Sequence, residues 1–224
     1  MLRIARMFVI HYVNWMQMMS ATSRSYVSPV RAAAAAEKRR LVIDAATRFL
    51  REEGSIANFS LEAIAREAGV ARLTLYNQFG SRSGLLEAIF EDIALRGRLA
   101  RLADVTTDPD PWRGLDRFIE IFCEFWSFEP AVGRLQDAVA IDREFGQAVL
   151  DRTERRRPTV QSIVRRLHPG QSARHERDMV DLIFSLTAYA SFQSLSVGRK
   201  PGAVCALLKR ACRDVARARD DGRA

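Results

Sequence analysis

Arg72, Thr74, Tyr76 and Asn77 lie close together in the stretch Phe59-Ser60-Leu61-Glu62-Ala63-Ile64-Ala65-Arg66-Glu67-Ala68-Gly69-Val70-Ala71-Arg72-Leu73-Thr74-Leu75-Tyr76-Asn77-Gln78-Phe79. An arginine, hydroxyl groups and an amide are the groups that read base edges or grip phosphates in a DNA major groove. A guanidinium bonds guanine O6 and N7 bidentately, and a carboxamide does the same with adenine N6 and N7. Each such pair is worth about 1–3 kcal/mol of discrimination against the wrong base. That chemistry requires the side chains to share one side of a rigid rod.

The elements that would present them are legible in the apolar spacing. Leu61, Ile64, Ala65 and Ala68 recur at i, i+3, i+4, i+7, one face of a two-turn helix. Ser60 stands where a hydroxyl accepts from an orphan N–H, and Glu62 suits the positive helix end. Gly69 stops the helix, because glycine enters the left-handed cap without a Cβ penalty. Val70 opens a second short helix, with Ala71 and Leu75 one turn apart and turned inward. Arg72, Leu73, Thr74, Tyr76 and Asn77 are left on the outer arc. This is the pattern of a helix-turn-helix; the spacing alone would also describe two short core helices with a solvated face.

The neighbours fit around that pair. A helix is expected from about Ala32 to Glu53, with Leu41, Ala45 and Phe49 as its buried stripe beside Ala46 and Leu50, and Gly54 as its end. After Phe79 a turn leads to another helix reaching about Leu102, with Leu85, Leu86, Ile89, Ile93 and Leu95 as apolar positions. Ser81 or Ser83 is its candidate cap.

From Leu41 through Phe90 the chain resembles the DNA-binding domain of the TetR family of bacterial transcriptional regulators. The resemblance rests on Ala45-Ala46, Phe49, Gly54, Ser60, Ile64-Ala65, Ala68-Gly69-Val70, Thr74-Leu75-Tyr76, Phe79, Ser81 and Leu85-Leu86. Leu73, Gln78 and Arg82 depart from the family's usual residues, and Ser83-Gly84 replaces an acidic pair. Gln78 and Arg82 keep hydrogen-bonding or cationic character. The resemblance implies that Ser60, Tyr76, Gln78 and Arg82 hold phosphates, while Arg72, Leu73, Thr74 and Asn77 face the bases.

Composition agrees with an anionic partner. The 224-residue chain has a formal net charge of +8, and its 48% apolar content excludes a disordered polymer. Cys123, Cys205 and Cys212 form no CxxC pair and no metal-ligand spacing, and read as buried thiols of a reducing compartment. His168 and His175 lack metal-site neighbours and read as surface residues. Among catalytic motifs there is no Gly-rich phosphate loop, no HExxH and no GxSxG, so an all-α enzyme has no segment in its favour. No metal or cofactor is expected.

Residues 1–30 read as an unstructured extension. Met7 to Met19 is mostly apolar but too short to span a bilayer, so no membrane partner is expected. Arg3 and Arg6 give a faint likeness to a signal peptide, with no cleavage site after it. Met18, Met19 or a later codon is a candidate true start. Ser20 to Pro29 reads as a polar linker.

Asp108-Pro109-Asp110-Pro111 breaks the helical pattern. Beyond it, Leu115, Phe118, Ile119, Phe122 and Trp126 form one stripe, with Ile121, Phe125 and Phe128 on other sides. A helix apolar nearly all round is buried on most of its surface, as plain core or as the wall of an apolar pocket. A short helix over Ala131–Ala140 and a longer one over Arg143–Leu167 follow, the second kinked or interrupted at Pro158. Arg155-Arg156-Arg157 reads as a solvated face. Two last helices are expected over Ala173–Val197 and Ala203–Ala218. Met179, Leu182, Ile183, Leu186 and Ala190 stripe the first, and Val204, Leu207, Leu208, Ala211 and Val215 the second. Their apolar positions exceed what one packed face requires.

The whole is therefore expected to be all-α: an N-terminal three-helix DNA-binding domain over 31–90, then a helical effector-binding and dimerisation domain over 91–224. By the resemblance, Phe118, Phe122, Trp126, Phe184 and Tyr189 line an effector site, and Leu182, Leu186, Val204, Leu207, Leu208 and Ala211 form a homodimer interface. A cytoplasmic repressor of a palindromic duplex operator, released by a small apolar ligand, is the implied function. A ligand-independent DNA-binding or architectural protein is the alternative.

Overall fold

The computed structural model describes residues 29–52 and 56–218, with every regular element among them helical. The readings made for residues 1–28, for Gly54 and for residues 219–224 lie outside the described residues. The chain forms two units, one up to Leu41 and one from Val42 onward. Within the first, Arg40 pairs with Glu37 at 2.7 Å on an exposed helical surface, an ion pair worth little. Leu41 is 43% exposed and takes no part in the stripe expected of it.

The helices are α1 (Pro29–Glu52), α2 (Leu61–Glu67), α3 (Arg72–Phe79), α4 (Arg82–Arg96), α5 (Leu102–Val105), α6 (Pro111–Phe128), α7 (Ala131–Ile141), α8 (Arg143–Glu154), α9 (Arg157–Leu167), α10 (Ala173–Leu186), α11 (Tyr189–Ser196) and α12 (Pro201–Arg217). Proline stands in the first turn of α6, α9 and α12, where its missing N–H costs nothing. Pro158 accordingly starts α9 after a break from α8. Asp110 caps α6 by accepting from the Trp112 N–H at 2.9 Å.

From Val42 onward the apolar residues gather in two clusters. One joins Val42, Ala46 and Leu50 of α1 to Ile64, Leu75, Leu85, Leu86 and Ile89, and adds Phe125, Leu135 and Phe145 from α6, α7 and α8. The other joins Leu115, Phe118, Ile119 and Phe122 of α6 to Ile163, Met179, Ile183, Val204 and Leu208. Each Val, Leu, Ile, Met or Phe side chain among them contributes roughly 1.5–3 kcal/mol when fully buried. Helix α6 is buried on opposite sides, as its all-round apolar pattern requires; Phe128, at 46% exposure, escapes it. It lies against α9 and α12, which in turn pack on α10.

The boundary expected at residue 90 falls inside α4, which runs unbroken to Arg96. Leu95 is 76% exposed rather than core. The helix expected over Ala173–Val197 is broken at Thr187–Ala188 into α10 and α11. No helix among the described residues is long and apolar enough to cross a membrane.

Candidate nucleic-acid interface

Helices α2 and α3 are joined by a turn that glycine makes possible. Ser60 caps α2, its Oγ accepting from the Ala63 N–H at 3.1 Å. At the other end the Gly69 N–H donates to the Arg66 carbonyl at 3.2 Å and the Val70 N–H to the Ala65 carbonyl at 3.0 Å. This Schellman pair satisfies the last carbonyls only if the residue after the cap is left-handed, and Gly69 has φ +66°. The second helix begins at Arg72, with Ala71 its N-cap. Ala71 is exposed instead of facing inward, so Leu75, fully buried, and Phe79 anchor α3.

That anchoring fixes what α3 presents. Leu73 is 67% and Tyr76 61% exposed; Arg72 and Asn77 are exposed, and Thr74 and Gln78 are half-buried. An outward strip of cation, apolar group, phenol and amide can meet base edges and backbone together. Ser60 is exposed beside it, its hydroxyl committed to the cap.

Arg82 is elsewhere. Its Nη1 donates to Asp142 Oδ2 at 2.8 Å, its Nε to the Phe59 carbonyl at 2.9 Å and its Nη2 to the Ile56 carbonyl at 3.1 Å. The guanidinium ties the start of α4 to the segment before α2 and to the N-cap of α8. A phosphate would have to compete with three internal acceptors for this guanidinium. Ser81 caps α4, and Ser83 is buried, donating to Asp142 Oδ1 at 2.7 Å. Asp142 also accepts from the Phe145 N–H. Burial opposes its ionisation, but these donors and the Arg82 charge hold its carboxyl below the usual range.

The five aromatic residues expected around an effector form one connected group. Phe118 meets Phe122 at 4.9 Å between centroids, Phe122 meets Trp126 at 5.8 Å, and Trp126 meets Tyr189 at 5.5 Å. Phe184 joins through Arg156, whose guanidinium carbon lies 4.1 Å from its ring and 5.1 Å from that of Phe122. Phe118 is fully buried. Tyr189 lines a cleft of about 220 Å³ with Leu50, Arg51, Arg134, Asp137 and Gln193. A Cβ on Gly133 would stand 2.7 Å from the Tyr189 hydroxyl, so the glycine lets the ring lean on α7.

Arg156 was missed by reading its triple-arginine run as solvated. It is 7% exposed and donates to the Thr187 and Phe184 carbonyls at 2.9 Å each. Trp126 Nε1 donates to the same Thr187 carbonyl at 3.1 Å. These donors cap the end of α10 from outside and hold open the break before α11. Burial lowers the Arg156 pKa to about 10. The only advance signal was Pro158, which forces a helix start and turns one of the three arginines inward.

Of the positions expected at a homodimer interface, Val204 and Leu208 are buried inside their own chain, in the cluster with α6. Leu182 is 52% exposed, while Leu186, Leu207 and Ala211 are half-buried. His168 and His175 bond the Ala216 and Ala218 carbonyls. Among the described residues no group of His, Cys, Asp and Glu is arranged to hold a metal.

Residues 42–89 match the family model described as bacterial regulatory proteins, tetR family. Comparison with curated proteins finds no match. Among solved structures, a TetR-like transcriptional regulator from Rhodococcus sp. RHA1 is similar at 20% identity, with a TM-score of 0.62 over 81% of this chain and 97% of that one. NalD, the secondary repressor of the MexAB-OprM multidrug efflux pump in Pseudomonas aeruginosa, is similar at 20% identity and a TM-score of 0.61 over 81% and 97%. A putative TetR-family transcriptional regulator from Mesorhizobium loti is similar at 18% identity and 0.55 over 81% and 96%. With α3 exposed on its glycine turn, residues 42–89, from α1 into α4, carry the segment that the tetR family model describes, and the chain shares its helical fold with these solved regulators.

Proposed function

We propose that this protein is a cytoplasmic, non-enzymatic homodimeric repressor that binds a palindromic operator and releases it when a small molecule binds. The observation that carries the reading is the outward strip Arg72, Leu73, Tyr76 and Asn77 on α3. Arg72, Leu73, Thr74 and Asn77 face the bases, and Ser60, Tyr76 and Gln78 the backbone. Two such helices must stand roughly 34–36 Å apart to enter successive major grooves. The exposed Leu182, with Leu186, Leu207 and Ala211, supports pairing of two chains through α10 and α12.

The cleft beside Tyr189 supports ligand control, because its wall combines Arg51 of α1 with α7 and α11. Its volume lies below the usual 300–1,000 Å³ of ligand sites, which suits a compact ligand held against the Tyr189 ring, with Arg51, Arg134 and Asp137 as polar partners. A ligand preferring a different head spacing shifts the population away from the DNA-competent state. The burial of Phe118 and Phe122 in the core cluster favours the second reading, a DNA-binding protein that answers to no ligand.

Footprinting of the purified protein on the DNA flanking its own gene tests both. A protected dyad with a steep salt dependence is expected. No protection at low salt sinks the proposal, and protection that no compound relieves leaves the ligand-independent reading in its place.

A further inference from the structure

Helices α6 and α12 run antiparallel in a register set by two ion pairs. Arg213 Nε and Nη2 donate to Asp116 Oδ1 and Oδ2 at 2.9 and 2.6 Å. One turn on, Lys209 Nζ donates to Glu120 Oε1. Each step of four down one helix is matched by four up the other. The next step sets Cys205 against residues 123 and 124, and Cys205 packs there against the buried cluster that contains Cys123. We propose that Cys205 and Cys123 form a peroxide-reactive dithiol that closes into a disulfide within one chain, joining α12 to α6.

The two sulfurs differ in access and in charge. Cys123 is buried, whereas Cys205 is half-buried at the rim of the same cluster. The neighbouring Cys123 thiol and the Lys209 ammonium draw the Cys205 pKa below that of an ordinary thiol, against burial and against Glu120 and Glu124 across the interface. Cys205, together with burial, pushes Cys123 up. Thiolate character and exposure select the attacking sulfur, which makes it Cys205. Cys212 is buried seven residues further on, its thiol pushed up to about 12 by burial, so it stays unreactive.

The chemistry balances with hydrogen peroxide as the oxidant. The Cys205 thiolate attacks one peroxide oxygen, the O–O bond breaks, and hydroxide leaves to become water, giving a sulfenic acid on Cys205. Cys123 then loses its proton and its sulfur attacks Cys205 Sγ, expelling the second oxygen as water. Two thiols and one peroxide give one disulfide and two waters; sulfur is oxidised and peroxide oxygen reduced.

The experiment uses the full chain, with peroxide added in slight excess and alkylation of the remaining thiols. A product with no covalent link between chains and one free thiol per chain is expected, its peptides joined through residues 123 and 205. In Cys123→Ser, dimedone should trap a sulfenic acid on Cys205. In Cys205→Ser, peroxide-dependent thiol loss should slow roughly tenfold or more, as the lowered-pKa thiolate is gone. Cys212→Ser should close the same disulfide at the parent's rate and leave no free thiol, and helical circular dichroism confirms that each variant is folded. Three free thiols after peroxide, a cross-link between chains, or a disulfide to Cys212 would each overturn the proposal. None of these readouts depends on DNA binding.

Discussion

Arg72 and Arg82 stand on consecutive helices and carry the same charge, yet their surroundings give them opposite work. Arg72 is exposed on the outer arc of α3, so its removal leaves the interior intact. We expect Arg72→Ala and Asn77→Ala to weaken operator binding by about 1–3 kcal/mol each while leaving the urea midpoint unchanged. Arg82→Ala should do the reverse. Its three internal bonds are lost and Asp142, partly buried, keeps its charge with one partner fewer. A stability loss of about 2–4 kcal/mol is expected, read by chemical denaturation. A lowered DNA salt slope with unchanged stability would restore Arg82 to the phosphate contacts. Arg156→Met belongs with Arg82: it removes the charged donor from the Thr187 and Phe184 carbonyls, leaving the Phe184 oxygen the longer bond from Thr187 Oγ1 at 3.2 Å, and we expect a loss of about 2–3 kcal/mol in the same measurement.

At the level of elements, α2 and α3 were legible because each signal for them is local. A hydroxyl cap, a two-turn apolar face and a glycine in the cap position all lie within a dozen residues, and the geometry at Ser60 and Gly69 follows them directly. Gly69→Ala tests how far the turn depends on that glycine. Open space surrounds its Cβ position, so the penalty is conformational only. About 1–2 kcal/mol is expected, with unfolding monitored by circular dichroism. The break between α10 and α11 was not legible in the same way. The residues around 187 show no proline or glycine, and the donors that stabilise the broken carbonyls come from Arg156 and Trp126, far away in sequence. The outward phase of Leu182 was likewise hidden, because an apolar stripe does not say which of its members meet their own chain.

For the molecule from Val42 onward, the decisive bonds are those that join the helix-turn-helix to the helices behind it. Glu129 is 3% exposed; it accepts from Arg51 Nε of α1 at 2.7 Å, from the Ala131 N–H at 3.2 Å, and lies 3.8 Å from Arg96 of α4. Burial pushes its carboxyl up, but these bonds outweigh burial and leave it below the ordinary value of 4.5. Asp142, bonded to Arg82 and Ser83, is likewise lowered from 3.8. A carboxylate lowered in the folded state binds fewer protons there than in the unfolded chain. Its contribution is therefore complete above the unfolded-state pKa and is lost as pH falls through the folded one. Glu87 works in the opposite sense, since burial raises its pKa and acid relieves it. Asp108, Glu154 and Glu176 are lowered as well by their arginine partners, so the lowered groups outnumber the raised one, and stability should hold above about pH 4.5 and decline below it. Because Arg51 is 46% exposed and Glu129 almost fully buried, the pair is also asymmetric. Arg51→Met strands a buried charge and should cost about 2–4 kcal/mol, whereas Glu129→Gln returns Arg51 to water and should cost less. Urea titrations of both variants from pH 3.5 to 7 check this, and Glu129→Gln should also flatten the acid limb. A Glu129→Gln loss equal to that of Arg51→Met, with the acid limb unchanged, would show that Glu129 is already protonated at neutral pH.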